Sequence, residues 1–206
     1  KSQLKKFFNE YLDLKRSKED EQVTVDSIRG GVEFKGTNLW VLIFFFFFAS
    51  LGLNVNSTAV IIGAMLVSPL MGPIFGIGLG LGTDDADLIK SALKNLATMV
   101  IISLLAASLY FLLTPLKLAN PTELMSRTNP TIYDVMIALF GGLAGIFEMS
   151  RKEKGTVISG VAIATALMPP LCTAGYGVAS GSLFIFLGAL YLFFINCIFI
   201  SLILSK

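Results

Sequence analysis

An apolar stretch from Ser57 to Gly82, STAVIIGAMLVSPLMGPIFGIGLGLG, constrains the fold of this chain more than any other segment. It is longer than the roughly 20 residues that a helix needs to cross a bilayer, yet it carries Pro69 and Pro73 near its middle. Each proline removes a backbone donor and crowds the preceding turn, so we expect the helix to break between Ser68 and Pro73. Backbone groups exposed by a break are tolerated at membrane depth only beside protein or a water-filled cavity. The break is therefore the first candidate for a functional site.

The composition predicts a polytopic membrane protein. The 206 residues are 54% hydrophobic and 15% charged, and their mean hydropathy is +0.77, well above the apolar share of a soluble domain. The chain has no histidine, so it lacks the commonest general base and metal ligand. We predict no enzyme activity, no cofactor and no metal site. Cys172 and Cys197 fall in apolar segments, where a thiol usually acts as a small hydrophobic group.

Hydropathy divides the chain into residues 1–36, a cytoplasmic or interfacial part, and residues 37–206, an all-α membrane domain of six spans. The expected spans are Leu39–Leu53, Ser57–Gly82, Ser91–Leu113, Thr131–Met149, Thr156–Ser180 and Ser182–Leu204. With the N-terminus inside, 14 of the 16 basic residues lie on the cytoplasmic side, and only Lys117 and Arg127 lie outside. This bias predicts a multi-pass protein with both termini in the cytoplasm.

Two different structures are expected before the first span. Ser2 to Arg16 places apolar residues at helical spacing and predicts an amphipathic helix. This helix could lie on the membrane surface, pack against a copy of itself, or cover part of its own chain. Val23 to Asn38 is interpreted as a connector, because Gly30, Gly31 and Gly36 disfavour a long regular element.

The second predicted span is repeated in the fifth. A shift of 101 positions pairs residues of Ser57–Gly82 with residues of Thr156–Ser180 and places Pro69 on Pro170, Gly76 on Gly177 and Gly80 on Gly181. The two copies start three spans apart, so they would cross the membrane in opposite directions. We therefore predict two inverted repeats, residues 37–113 and 131–206, each with a proline-broken helix. Such a pair points to a binding site near the membrane midplane of a secondary transporter.

The charge preference of this site follows from the helix ends. If the helices restart at Pro69 and Pro169, with Ser68 as a cap, free amides face the break and would attract an anion. The alternative is that the prolines only kink the helices for packing, and that Asn196 only bonds a neighbouring helix. The predicted substrate-binding residues are Ser68, Pro69, Gly72, Pro73, Thr165, Pro169, Pro170, Thr173, Tyr176 and Asn196.

The acidic residues of the membrane part allow two interpretations each. Asp134 and Glu148 could form a proton or cation relay, or they could be interfacial, with Asp134 in a first helical turn and Glu148 paired with Arg151 or Lys152. Asp84, Asp85 and Asp87 resemble a magnesium-diphosphate cluster, but we favour helix capping. Gly76, Gly78, Gly80 and Gly82 are assigned to close helix packing rather than to a nucleotide loop or a channel filter.

Three long motifs carry a resemblance to a known family: GLNVNSTAVIIGAMLVSPLMGPI (Gly52 to Ile74), RTNPTIYDVMIALFGGLAG (Arg127 to Gly145) and GVAIATALMPPLCTAGYGVASG (Gly160 to Gly181). From about Asp26 to its end, the chain resembles the prokaryotic "uncharacterised hydrophobic domain" membrane family, a domain of unknown function. The resemblance implies a bacterial or archaeal cytoplasmic membrane protein. It supplies no substrate and no catalytic residues. Many members resemble this chain with an added soluble domain before the membrane part.

These patterns predict a transporter or channel-like protein for a small anionic solute bound between two broken helices. A second hypothesis is a membrane ligand sensor or scaffold that signals through its N-terminal helix, and a weaker third is a transferase that uses Asp84, Asp85 and Asp87. The expected partners are the solute and the lipid bilayer, with no nucleic acid polymer. Close-packing glycines favour a homo-oligomer, for which three subunits is a working assumption.

Overall fold

The computed structural model describes residues 18–33, 36–65, 69–114, 122–128, 131–149 and 158–205, with the side chains of 18–21, 23, 145–149 and 158–165 left out. Every regular element of these ranges is an α-helix. The helices are α1 (Lys18–Val32), α2 (Thr37–Asn54), α3 (Thr58–Met65), α4 (Met71–Thr83), α5 (Ala86–Leu113), α6 (Thr122–Met125), α7 (Ile132–Met149), α8 (Ile158–Ser180) and α9 (Leu183–Leu204). The predicted all-α class is confirmed.

Three of these helices have the length and composition to cross a bilayer. They are α2, α5 and α9, and they carry large exposed apolar side chains such as Phe44, Leu105 and Phe194. Such a surface is suited to lipid rather than to water. The chain is therefore a helical membrane protein. Shorter apolar helical segments cover Met71–Thr83 and Ile132–Ala144.

Contacts between helix ends define two ends of the bundle. At the first end, Arg29 of α1 binds Asp85 before α5, and Gly82 of α4 packs against Ser205 after α9. At the second end, the Asn54 amide of α2 donates to the Tyr110 hydroxyl of α5 at 3.3 Å. Two further contacts lie at this second end, that of Glu123 in α6 with Thr58 and that of Thr128, after α6, with Gly188.

Three tight corners join consecutive helices by the same backbone arrangement. A left-handed residue, Asn56, Asp84 or Gly181, is followed by a residue whose N–H donates at 2.9 Å to a glycine carbonyl five positions earlier. These glycines are Gly52, Gly80 and Gly177. A Cβ on each would lie within 3.2 Å of the backbone nitrogen nine residues on. Glycine is required there because the second helix crosses directly over the first.

The recurring corner corrects the register of the predicted repeat. Gly80 and Gly177 occupy the same corner position, as do Asp84 and Gly181, so the shift between these corners is 97 residues (80 to 177) and not 101. The pairing of Gly76 with Gly177 and of Gly80 with Gly181 is therefore wrong. Pro69 lies 11 residues before Gly80, whereas Pro170 lies seven residues before Gly177.

The predicted connector before the first span is helical. Residues Lys18 to Val32 form α1, so the expectation that Gly30 and Gly31 prevent a regular element was wrong. Tertiary contact explains the helix: the backbone of Gly31 packs against Gly72 of α4, and the Asn95 amide of α5 donates to the Val32 carbonyl at 2.8 Å. The amphipathic helix predicted over Ser2 to Arg16 lies outside the described residues.

Candidate functional site

The first proline-containing segment is interrupted, as predicted. Helix α3 ends at Met65, Pro69 and Leu70 form a turn, and α4 begins at Met71. The details differ from the expectation, because Leu70 is the N-cap and no side chain caps it. Pro69 therefore precedes the restart, and Pro73 is the proline of the first turn of α4. Ser68 lies outside the described residues, so its predicted role as a ligand residue stays a prediction.

The second proline-containing segment is not interrupted, which corrects the prediction of a broken fifth helix. Helix α8 runs from Ile158 to Ser180 with Pro169 and Pro170 inside it. Pro170 cannot donate to the carbonyl of Ala166, and the side-chain amide of Asn196 on α9 donates to that carbonyl instead, at 2.8 Å. Helix α8 also packs against α5, α7 and α9, and this packing stabilises the continuous helix. A helix restart at Pro169 is therefore excluded.

The break and the proline pair belong to one buried cluster. Met65 and Leu70, on either side of the break, and Leu167, Met168 and Leu171, around the prolines of α8, are all buried in it. Pro73, Pro169 and Pro170 are buried as well. The structure thus brings the two predicted halves of the site together, but apolar side chains fill the space immediately between them. Gly72 packs against Gly31 of α1.

The interior of the bundle also holds side-chain oxygen atoms without hydrogen-bond partners. The described residues that carry them are Ser50 on α2, Ser103 on α5, Thr173 on α8 and Asn196 on α9. Their residues are at most 2% exposed. An unsatisfied buried polar group costs about 1 to 3 kcal/mol. Four such atoms on four neighbouring helices indicate an interior that is completed by water or by a ligand.

Helix packing sets three of these oxygens, those of Ser50, Ser103 and Thr173, at similar depth, whereas Asn196 lies beside Ala166, seven residues before Thr173 on α8. The Ser50 hydroxyl lies near the Cys172 thiol, which precedes Thr173 in the sequence, without hydrogen-bond geometry. Gly175 of α8 packs against Ala107 of α5, and Ser103 lies one turn before Ala107 on α5. Tyr176 stacks edge-on against Phe111, with ring centroids 5.1 Å apart. Thr173 is thus a predicted site residue that points into a polar layer, whereas Tyr176 is part of an aromatic contact beside it.

The structure makes Arg127 a candidate site residue, although the sequence analysis had treated it only as a basic residue outside the membrane. Arg127 follows α6, donates from Nη2 to Glu123 Oε2 at 3.3 Å, and has a side chain only 21% exposed. Its Nε atom is buried without a partner. Burial lowers the pKa of Arg127, and the charge of Glu123 opposes that shift. Arg127 therefore presents a partly desolvated cation at the second end of the bundle, where Glu123 also contacts Thr58.

Helix α6 covers the second end of the bundle and positions Arg127 there. The Thr58 hydroxyl donates to Glu123 Oε1 at 3.1 Å, and the Glu123 N–H donates to Asn56 Oδ1 at 3.3 Å. Leu124 and Thr128 are buried, and the Thr128 carbonyl packs directly against Gly188 of α9. No hydropathy pattern distinguishes Arg127 from an ordinary loop charge. The signal that could have found it is the glycine at 188 inside a span, since it marks a close approach by backbone.

The remaining predicted residues are placed as follows. Asp134 accepts from the N–H and the hydroxyl of Thr131 at 2.8 and 2.7 Å, so it closes the first turn of α7. The side chains of Thr165 and Glu148 are not among those described, and the relay of Asp134 and Glu148 stays a prediction.

Asp85 is the N-cap of α5 and accepts from Leu88 N–H at 3.0 Å. That hydrogen bond, and then Arg29, lower the pKa of Asp85.

Comparison with known proteins connects the chain to proteins of unassigned activity. Residues 65–202 match the family described as "Domain of unknown function (DUF389)". An uncharacterized protein of the archaeon Methanocaldococcus jannaschii, MJ0678, is 30% identical over 165 residues, which are 80% of this chain and 51% of that protein. The chain thus spans about half the length of this relative. No solved structure matches the sequence.

Proposed function

The chain belongs to the DUF389 family, and because that family has no assigned activity, we propose from the residues of this chain that it transports a small anionic solute across the membrane. The observation that carries the proposal is the set of unpartnered buried hydroxyls at Ser50, Ser103 and Thr173, which can donate to an anion or to water. Hydrocarbon cannot satisfy these groups, whereas a hydrated path or a bound solute can. A purely structural bundle would gain stability by replacing them with apolar residues.

Arg127 gives this path its preference for anions. Its guanidinium is held at the second end of the bundle by Glu123, and its Nε is buried and unpartnered. A partly desolvated arginine presents fixed donors that match carboxylate or phosphate oxygens.

Each end of the path has its own cover. Helix α6 and the residues after it cover the second end, through contacts of Glu123 with Thr58 and of Thr128 with Gly188. Helix α1 packs along α4 from the break, where Gly31 meets Gly72, to the first end, where Arg29 binds Asp85 at 2.6 Å. Two separate covers around a central polar layer are what alternating access requires, since one cover can move while the other stays closed.

The proposed architecture keeps six spans and two inverted repeats. Its support is that α4–α5 and α8–α9 are joined by the same corner, with a cap side chain from Asp85 and from Ser182. Within each set of helices, α2 to α5 and α7 to α9, the first, the middle and the last segment all pack against one another. The proposed orientation places both termini in the cytoplasm of a prokaryote, and a homo-oligomer remains the expected assembly.

The test is solute flux into proteoliposomes. Purified protein should accelerate uptake of at least one labelled anion from a panel of chloride, phosphate, small carboxylates and nucleotides. Arg127→Gln should reduce that flux about tenfold or more, because one lost charge-assisted contact is worth about 1.5 kcal/mol or more. Lys94→Gln, which removes an equal charge from an exposed position of α5, is the matched control and should leave the flux unchanged. Flux that is equal in both variants would exclude Arg127 from the path.

A second function, a ligand sensor, is favoured by the contact of α1 with the break. Gly31 and Val32 pack against Gly72 and Gly76 of α4, so a ligand that moves α4 would also move α1. Flux distinguishes the two functions. An anion that raises the melting temperature of the protein by mass action but is not transported would favour the sensor.

A further inference from the structure

The two prolines of α8 leave two successive main-chain carbonyls without their usual helical donors. Pro169 removes the N–H that would bond the Thr165 carbonyl, and Pro170 removes the one for Ala166. Asn196 donates to the Ala166 carbonyl through Nδ2 at 2.8 Å. Asn196 therefore replaces the missing donor of the Ala166 carbonyl, and its side chain also carries an amide oxygen.

That oxygen has no partner. Asn196 Oδ1 is buried and accepts no hydrogen bond, although the residue is only 2% exposed. It is fixed beside α8 because Nδ2 of the same amide is bonded to Ala166. The Thr165 carbonyl is the neighbour of the Ala166 carbonyl on the same helix. The surroundings thus combine oxygen acceptors from a side chain and from the main chain.

The charge of the surroundings limits what can bind there. The buried polar side chains of the described residues are neutral, and none is a carboxylate. A divalent ion loses too much hydration energy to bind without carboxylates, and an anion is repelled by carbonyl dipoles. A monovalent metal cation is the ligand that accepts neutral oxygen ligands at membrane depth.

We propose that the main-chain carbonyl of Thr165 and the side-chain oxygen of Asn196 bind a monovalent metal cation, Na⁺ or K⁺. The site does not depend on the proposed transport of an anion, because it is defined by cation binding to the protein alone. Nothing in the sequence interpretation had assigned a cation to these residues.

The experiment measures thermal unfolding of the purified full chain in detergent. The baseline is N-methyl-D-glucamine chloride, which is replaced stepwise by NaCl or KCl at constant ionic strength and chloride concentration. One of the two cations should raise the melting temperature along a saturable curve, by about 5 °C at a hundredfold excess over its dissociation constant. A melting temperature that responds to neither cation would mean that water fills the site and would overturn the proposal.

Two neighbouring prolines supply the variant and its matched control. Pro169→Ala returns an N–H to the Thr165 carbonyl, so it should keep the fold but weaken the apparent cation affinity about tenfold or more. Pro170→Ala returns an N–H to the Ala166 carbonyl, which already accepts a hydrogen bond from Asn196. The melting temperature of this variant should therefore still respond to the cation. A response that survives in Pro169→Ala, or that is lost equally in both variants, would refute the assigned ligands. Asn95→Leu, which alters an amide at the other end of the bundle, should also keep the response.

Discussion

The side-chain amide of Asn196 donates to the main-chain carbonyl of Ala166 at 2.8 Å, across the interface of α9 with α8. This hydrogen bond replaces the one that Pro170 cannot donate to the same carbonyl, so α8 continues through a proline pair. It also fixes an unpartnered oxygen in the interior of the bundle. The continuity of the helix and the proposed cation site therefore depend on the same contact.

The energetic link between Asn196 and Pro170 can be measured with a double-mutant cycle. Asn196→Leu alone should lower the free energy of unfolding by about 1 to 3 kcal/mol, because it leaves the Ala166 carbonyl buried and unbonded. In a Pro170→Ala background the same change should cost at least about 1 kcal/mol less, since the new N–H bonds that carbonyl. Thermal unfolding in one detergent gives all four values. A cycle with no coupling would mean that the carbonyl is satisfied in another way.

The unpartnered hydroxyl of Thr173 should matter for flux and not for stability. Thr173→Val keeps the shape of the side chain and removes an oxygen that has no hydrogen bond, so the protein should be unchanged or up to about 1 kcal/mol more stable. Uptake in proteoliposomes should fall. Thr128→Val is the control: its hydroxyl donates to the Met125 carbonyl at 2.8 Å, so this change should destabilise the protein. A Thr173→Val protein that unfolds more easily would point to a structural bond of that hydroxyl.

The contact of α1 with the break should be sensitive to one methyl group. Gly72→Ala would drive its Cβ into the Gly31 carbonyl, and since both groups are backbone, α1 must move away. Amide hydrogen exchange over Lys18–Val32 should then become faster by about tenfold or more, which corresponds to about 1.4 kcal/mol of lost protection. Gly30→Ala, where nothing lies within 4 Å, should not speed exchange, because alanine favours a helix. Equal exchange in Gly72→Ala and the original protein would contradict this packing.

The ion pair of Arg29 and Asp85 predicts a pH dependence with a definite sign. The pKa of Asp85 is lowered by the Leu88 N–H and then by Arg29, so its contribution to stability is present above the unfolded pKa of about 3.9 and is lost as the pH falls through the lower folded value. Asp85→Asn keeps an N-cap side chain but not the charge. The difference in melting temperature between the two proteins should be constant above about pH 5 and should shrink below about pH 4. A difference that grows in acid would reverse the assignment.

Several features of the chain were readable from its residues. The apolar runs predict helices, and Pro69 with Pro73 predicts the interruption that separates α3 from α4. Acidic residues after Thr83 predict a helix cap, and Asp85 is the N-cap of α5. These features depend on local chemistry, namely hydropathy, the missing N–H of proline and the free amides of a first turn.

The sequence could not determine which proline breaks its helix. Pro69 and Pro170 look alike in sequence, yet one lies in a turn and the other inside a continuous helix. The outcome depends on whether another helix supplies a donor to the orphaned carbonyl, and Asn196, 30 residues from Ala166, does so for α8. Gly31 was wrongly assigned to a connector for the same reason, since its helix is held by Gly72 and Asn95. Arg127 became a candidate site residue only through its partial burial, which accompanies the packing of its neighbour Thr128 against Gly188.

The sequence by itself thus determined that this chain is a helical membrane protein with an interrupted helix, because bilayer length, hydropathy and proline act on the local chain. Only the tertiary structure decided that α8 stays intact, that α1 covers the break, and that Arg127 and the unpartnered oxygens lie along one interior. Those facts depend on hydrogen bonds and close contacts between residues far apart in sequence, and no local pattern encodes which distant group will satisfy a buried polar atom.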